Sequence, residues 1–258
     1  MTSTFDIGGE LTVNRLGYGA MRLTGQPGNF GPFPDWEAGL ALLRRAADLG
    51  VSFFDSAHAY GPGHADRLLG EALEGRDVVI ATKGGVSKPA PGHIVVDGSR
   101  DTLLRQIDEA LINLRRDRID LFQLHRIDPN VPVERSVRAL DEARRDGRIR
   151  HIGLSNVDQA TLERAMTIAP IASVQNRFNS AEQGDSRLVD FTRRHEIAYI
   201  PYGPLGAHPM RPGAALAPQQ ALRWLLGYSD NIVVIPGTTS VSHLEANIAA
   251  GRHETVPS

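Results

Sequence analysis

Four polar residues, an aspartate, a tyrosine, a lysine and a histidine, stand where apolar, strand-like runs of this chain stop. Asp55 closes VSFFD, Tyr60 follows in SAHAYG, Lys83 closes DVVIATK and His125 closes IDLFQLH. A free tyrosine hydroxyl has a pKa near ~10 and is a poor acid at neutral pH. A neighbouring ammonium favours the phenolate and lowers that value. A buried lysine tends to lose its proton unless a carboxylate beside it holds the charge. The four side-chain types therefore form one device. Asp55 keeps Lys83 charged and oriented, Lys83 tunes Tyr60, and His125 hydrogen-bonds a carbonyl oxygen. Tyr60 then protonates that oxygen as negative charge develops on it. The carbonyl carbon needs a hydride, which protein side chains do not provide, so a nicotinamide cofactor is implied.

Such a device requires elements that carry four distant segments to one place. The chain alternates short β-rich runs with amphipathic stretches. The runs are LGYGA, VSFFD, DVVIATK, IDLFQLH, IRHIGLS, IASVQ, IAYIPYG and NIVVIPG, each followed by a helical segment, which makes eight βα units. In 99–117, Leu103, Leu104, Ile107, Ala110, Leu111 and Leu114 fall at helical spacing, with Ser99 placed as N-cap. Pro132 suits the first turn of the next helix and Gly147 its end. Strict β/α alternation implies a parallel sheet covered by helices. The length of 258 residues matches the ~250 typical of a (β/α)8 TIM barrel, whose C-terminal strand ends converge on one rim where chemistry sits. The opening TFDIGGELTVNRLG reads as a β-hairpin about Gly8-Gly9 that caps the barrel bottom. Residues 84–98 and 206–218, rich in Gly and Pro, read as loops. No linker-like stretch divides the chain, so 1–258 is expected to be one domain.

Composition narrows the classes. The net charge of −2 argues against nucleic acid or an acidic membrane as partner. Arg115, Arg116 and Arg118, and Arg144, Arg145, Arg148 and Arg150, sit at helix ends, where the macrodipole favours cations. There are 0 cysteines, which excludes disulfides and thiolate metal sites and fits a reducing compartment. No signal peptide and no apolar stretch of ~18 residues is present, so a soluble cytoplasmic protein is expected. His58 lies between Asp55 and Tyr60, yet no HExxH or strand-end His-x-His accompanies it, and no metal is expected. Gly17-x-Gly19 lacks the third glycine of a Rossmann site. Each of the four residues alone has an ordinary reading as a cap, a half-buried aromatic, a surface charge or a rim histidine. Their joint placement is what favours catalysis.

The chain resembles the aldo-keto reductase family in FFDSAHAYG, ATKGG, DLFQLHR, IGLSN, VQNRFN, YGPLG and IPGTTSVSHLEAN, which stand in family order. The resemblance implies an NAD(P)H-dependent reductase of aldehydes and ketones that binds NADPH in extended form, with Asp55, Tyr60, Lys83 and His125 as the catalytic four. Ser155, Asn156 and Gln175 would hold the nicotinamide carboxamide, and Tyr202 would stack on the ring. Gly203, Pro204, Leu205 and Gly206 would line the pyrophosphate side, and Gly19, Ala20 and Met21 would lie near the cofactor. Pro236, Gly237, Thr238 and Thr239, with His243 and Asn247, would contact the adenosine phosphate end.

Two departures from the family pattern matter. Gly237 and His243 stand where Lys and Arg are common, which weakens the grip on a 2′-phosphate unless Arg223 or another residue compensates. NADPH is favoured and NADH stays open. The segment after YGPLG and the C-terminus are both short for the family, which implies an open pocket and a broad substrate range. The nearest likeness is to bacterial members that reduce small aromatic aldehydes or pyridoxal. A monomer acting on a small carbonyl compound is expected. A cofactor-binding regulatory subunit with little turnover is the alternative.

Overall fold

The computed structural model describes residues 3–204 and 216–252. Strands β1 (Thr4–Ile7) and β2 (Leu11–Asn14) form an antiparallel hairpin. The barrel strands are β3 (Tyr18–Gly19), β4 (Phe53–Asp55), β5 (Val79–Gly84), β8 (Ile119–Leu124), β9 (Ile149–Ser155), β10 (Ile171–Gln175) and β11 (Ala198–Tyr199). They form a parallel sheet in the order β11-β10-β9-β8-β5-β4-β3. The run NIVVIPG joins the two edges. Ile232 bridges to Tyr199 and Val234 to Leu16, both in parallel. The eighth position is thus filled by single bridges rather than a full strand, and the (β/α)8 arrangement is closed.

Among the described residues eight α-helices follow the strands: α1 (Trp36–Asp48), α2 (His64–Ala72), α3 (Arg100–Leu114), α4 (Val133–Arg145), α5 (Gln159–Met166), α6 (Ser186–Arg194), α7 (Pro218–Tyr228) and α8 (Val241–Arg252). Their starts are written in the sequence. Asp35, Ser99 and Asp158 accept hydrogen bonds from the amides of Ala38, Thr102 and Thr161, which satisfies donors that a helix leaves free. Pro132 is the N-cap of α4 rather than a first-turn residue, and Gly147 follows its end at φ +79°. No helix among the described residues is long and apolar enough to cross a membrane.

Two core layers follow from the two-residue period of strands. Phe54, Ile80, Phe122, Leu124, Ile152, Leu154 and Val174 face outward into a buried layer shared with the helices. Phe53, Ala81, Leu121, Ala198, Ile200 and Val233 face inward and pack with Ile7, Leu11 and Val13 of the hairpin. The hairpin therefore plugs the end of the barrel opposite the C-terminal strand ends. Counting two residues on from the inward Phe53 and Ala81 gives Asp55 and Lys83. Two more such steps from Leu121 give His125. Chain alternation alone aims these side chains into the mouth.

One expected loop is different. Within 84–98 lies a second hairpin, β6 (Val86–Ala90) paired antiparallel with β7 (His93–Val96). Pro91-Gly92 makes its turn, with Gly92 at φ +74°, a backbone region that favours glycine. The Pro-Gly pair is a turn signal within a strand-forming stretch, and its composition resembles a loop. The expected loop 206–218 lies almost wholly outside the described residues.

Asp66 of α2 is buried and accepts from the Thr82 hydroxyl at 2.9 and 3.0 Å. Burial pushes its carboxyl up to about 6, against the pull of the Ser56 and Thr82 hydroxyls and Lys83. The folded value lies above the ordinary 3.8, so between these values the folded chain keeps a proton that the unfolded chain has lost. This contribution to stability is whole below the lower value and lost as pH rises through the upper one. Asp66→Asn is expected to raise stability at pH 7.5 by up to about 3 kcal/mol. The gain should vanish near pH 4. Thermal melts at the two pH values check this, and an equal shift at both would refute it.

Candidate active site

The mouth of the barrel opens into a cleft of about 550 Å³. Beneath it Lys83 is wholly buried, and its ammonium donates to Asp55 Oδ1 at 2.8 Å, Asp55 Oδ2 at 2.7 Å and the Ser56 carbonyl at 2.6 Å. Gln175 Nε2 donates to Asp55 Oδ1 at 2.8 Å, so the carboxylate is braced from a second side. Burial works against the Lys83 charge, but Asp55, followed by Tyr60, outweighs it and holds the lysine above its ordinary range.

The Lys83 ammonium lies 5.3 Å from the centroid of the Tyr60 ring. Tyr60 meets His125 edge to face, with centroids 6.0 Å apart and planes at 86°. Lys83 lowers the tyrosine pKa as expected. Burial is the larger influence, and the net direction is upward. The ammonium alone would lower it, and the desolvation that the barrel mouth imposes outweighs that charge. His125 is held well below the ordinary histidine value by burial first, then by Lys83, Arg126, Lys88 and His58. It is therefore a neutral imidazole at pH 7, able to donate one N–H. Its buried Nδ1 has no hydrogen-bond partner among the described residues.

Residues from the later strands line the cleft beside this group. Ser155 Oγ donates to the Gln175 carbonyl at 2.8 Å, and Asn156 Nδ2 donates to the His125 carbonyl at 3.0 Å. Tyr202 donates its hydroxyl to Asn156 Oδ1 at 2.8 Å. Gly19, Met21, Gly203, Pro204, Pro236 and Gly237 complete this wall. A Cβ on Gly237 would come within 2.6 Å of the Gly19 carbonyl oxygen, so two backbones meet here where only glycine fits.

Of the residues singled out from sequence, Asp55, Tyr60, His125, Ser155, Asn156, Gln175 and Tyr202 line the cleft, as do the wall residues just named. Lys83 and Ala20 lie buried behind it. Thr238 and Asn247 are also buried, while Thr239 and His243 are exposed near the start of α8. None of these four lines the described cleft. Arg223 is exposed on α7 and also stays outside it. Leu205 and Gly206 lie outside the described residues. Sequence reasoning missed Val86, Lys88, Ile94, Arg22 and Arg126, all of which line the cleft. Val86 and Lys88 carried a signal in their two-residue spacing on a strand.

The aldo/keto reductase family model matches residues 15–218. This chain belongs to the aldo/keto reductase family. Members are NADP-dependent oxidoreductases. The chain is similar to pyridoxine 4-dehydrogenase of Escherichia coli, with 38% identity over 96% of this chain and 93% of that protein. Its fold matches the glycerol dehydrogenase of Gluconobacter oxydans with a TM-score of 0.87 and 20% identity, covering 99% of this chain and 91% of the other. An aldo-keto reductase of Klebsiella pneumoniae, solved with NADPH, matches with a TM-score of 0.81 and 24% identity over 99% and 92% of the two chains. This aldo/keto reductase thus shares the (β/α)8 barrel of those enzymes.

Proposed function

We propose that this protein reduces aldehydes, and some ketones, to alcohols with NADPH as hydride donor and Tyr60 as proton donor. The observation that carries this reading is the Asp55–Lys83 pair, buried directly beneath Tyr60 and facing a neutral His125. The rest of the lining suits a nicotinamide cofactor. Asn156 and Gln175 offer amide groups, Tyr202 offers a ring face, and Gly19 and Gly237 leave backbone with no side chain in the way. NADPH, when bound, supplies the hydride that no side chain supplies.

The chain's own groups do the rest. His125 and Tyr60 converge on the carbonyl oxygen, His125 donating a hydrogen bond that aims it. Tyr60 gives up its proton as charge grows there. Lys83 stabilises the phenolate left behind, and Asp55 and Gln175 keep Lys83 in place. Small aromatic aldehydes and pyridoxal fit the scale of the cleft and the likeness to pyridoxine 4-dehydrogenase.

The test is oxidation of NADPH and of NADH with 4-nitrobenzaldehyde and pyridoxal, beside a fluorescence titration of each cofactor. Aldehyde-dependent oxidation, faster with NADPH, is the expected result. Tight binding of NADPH with no turnover on either aldehyde would sink the reductase reading and favour a cofactor-binding regulatory role.

A further inference from the structure

Lys88 is only 9% exposed, yet it has no carboxylate partner among the described residues. Its ammonium reaches from β6 across to the loop at 25–31, where it donates to the Gly28 carbonyl at 2.8 Å and the Asn29 carbonyl at 3.2 Å. A lysine ammonium carries three donors, so one remains beyond these two acceptors. The side chain lines the same cleft as Tyr60 and His125. Burying a cation with only neutral partners is costly. Lys83, by contrast, is fully matched by Asp55.

The charge balance of the cleft points the same way. Asp55 is its one acidic lining residue among the described residues, and Lys83 neutralises it. Arg177 is paired with Glu182 at 2.7 Å. Arg22, Lys88 and Arg126 line the cleft with no ion pair among the described residues; Arg22 lies beside Gly237 of the lining assigned to the cofactor, while Lys88 and Arg126 follow the third and fourth barrel strands. Their charges reach the reacting end, since both depress the His125 pKa. Ala59, Val86 and Ile94 form the apolar surface beside them.

We propose that Lys88, assisted by Arg126, forms an anion subsite, so that the preferred substrates are aldehydes with an apolar body bearing a carboxylate or phosphate. The proposal rests on the carbonyl-reductase reading above. The anion would complete the ammonium's third hydrogen bond and offset the burial of its charge. Charge-assisted contacts of this kind are the strong ones.

The experiment compares kcat/KM for 4-carboxybenzaldehyde against benzaldehyde, and for glyceraldehyde 3-phosphate against glyceraldehyde, in wild type, Lys88→Met and Lys88→Arg. Wild type is expected to favour an anionic member of at least one pair, and the favoured pair identifies the anion. In Lys88→Met that preference falls about 10- to 100-fold, the worth of one charge-assisted hydrogen bond. Lys88→Arg, which keeps the charge, retains a preference. If Lys88 only pins the loop at 25–31, both members of a pair decline together and the ratio stays, which would overturn the proposal. A wild type with no anion preference in either pair would overturn it too.

A calorimetric titration of benzoate against benzamide, with saturating NADP, reads the subsite without turnover. Should wild type reduce none of the four aldehydes, a benzoate preference that disappears in Lys88→Met keeps the subsite while the reductase reading fails. Equal binding of benzoate and benzamide by wild type would then overturn the subsite as well.

Discussion

Tyr60→Phe is expected to lower kcat for aldehyde reduction on the order of 10³-fold, the scale of a lost general acid, while NADPH binds with unchanged Kd. The substitution removes one hydroxyl and keeps the ring that meets His125 edge to face. Packing at the mouth therefore persists, and the loss is confined to the proton transfer. A pH profile sharpens the test. The acid must be protonated for reduction, and burial holds the Tyr60 pKa above its ordinary 10.0. In the wild type the reductive rate should stay level from pH 6 to 9 as far as this group is concerned. Steady-state kinetics with a fluorescence titration of NADPH checks both parts. A variant within about tenfold of wild type would remove Tyr60 from the role of proton donor.

Lys83→Met has two expected effects, one on stability and one on rate. It leaves the Asp55 carboxylate buried with Gln175 as its remaining side-chain partner. Breaking a buried ion pair from one side costs about 3–5 kcal/mol, and at ~2–4 °C per kcal/mol the melting temperature should drop by roughly 10 °C. The double variant Asp55→Asn/Lys83→Met removes both charges and should recover most of that loss. Reduction should stay low in both, because no ammonium remains to stabilise the Tyr60 phenolate. The pair holds the Lys83 pKa above its ordinary 10.5, so its contribution is whole below that value and lost only as pH rises through the folded one. Melts at neutral pH therefore report the full effect. A single variant that melts with wild type, or a double variant no more stable than the single, would contradict the buried-charge account.

Much of the fold was legible because barrel strands and helices repeat a simple pattern. The stretch 171–175 matches β10 residue for residue. Residues 149–155 match β9. The second hairpin was not legible, because Gly and Pro in its turn give the same composition as a loop. The run at 231–237 reads as a strand and serves as one only through the bridges of Ile232 and Val234. Those contacts are long-range, and local propensity does not register them.

By itself the sequence determined the identities and the strand-end positions of Asp55, Lys83 and His125, because a two-residue period and a parallel barrel leave little choice of direction. It also determined the charge logic of Asp55 and Lys83. Tertiary structure decided how strongly each group is desolvated. That is why Tyr60 is raised rather than lowered and why His125 is neutral. It also decided which residues never adjacent in the chain share the cleft. Lys88 and Arg126 enter it with Tyr60, while Thr239 and His243 stay outside its described walls. Desolvation and convergence are sums over neighbours distant in sequence, and only the folded barrel fixes those neighbours.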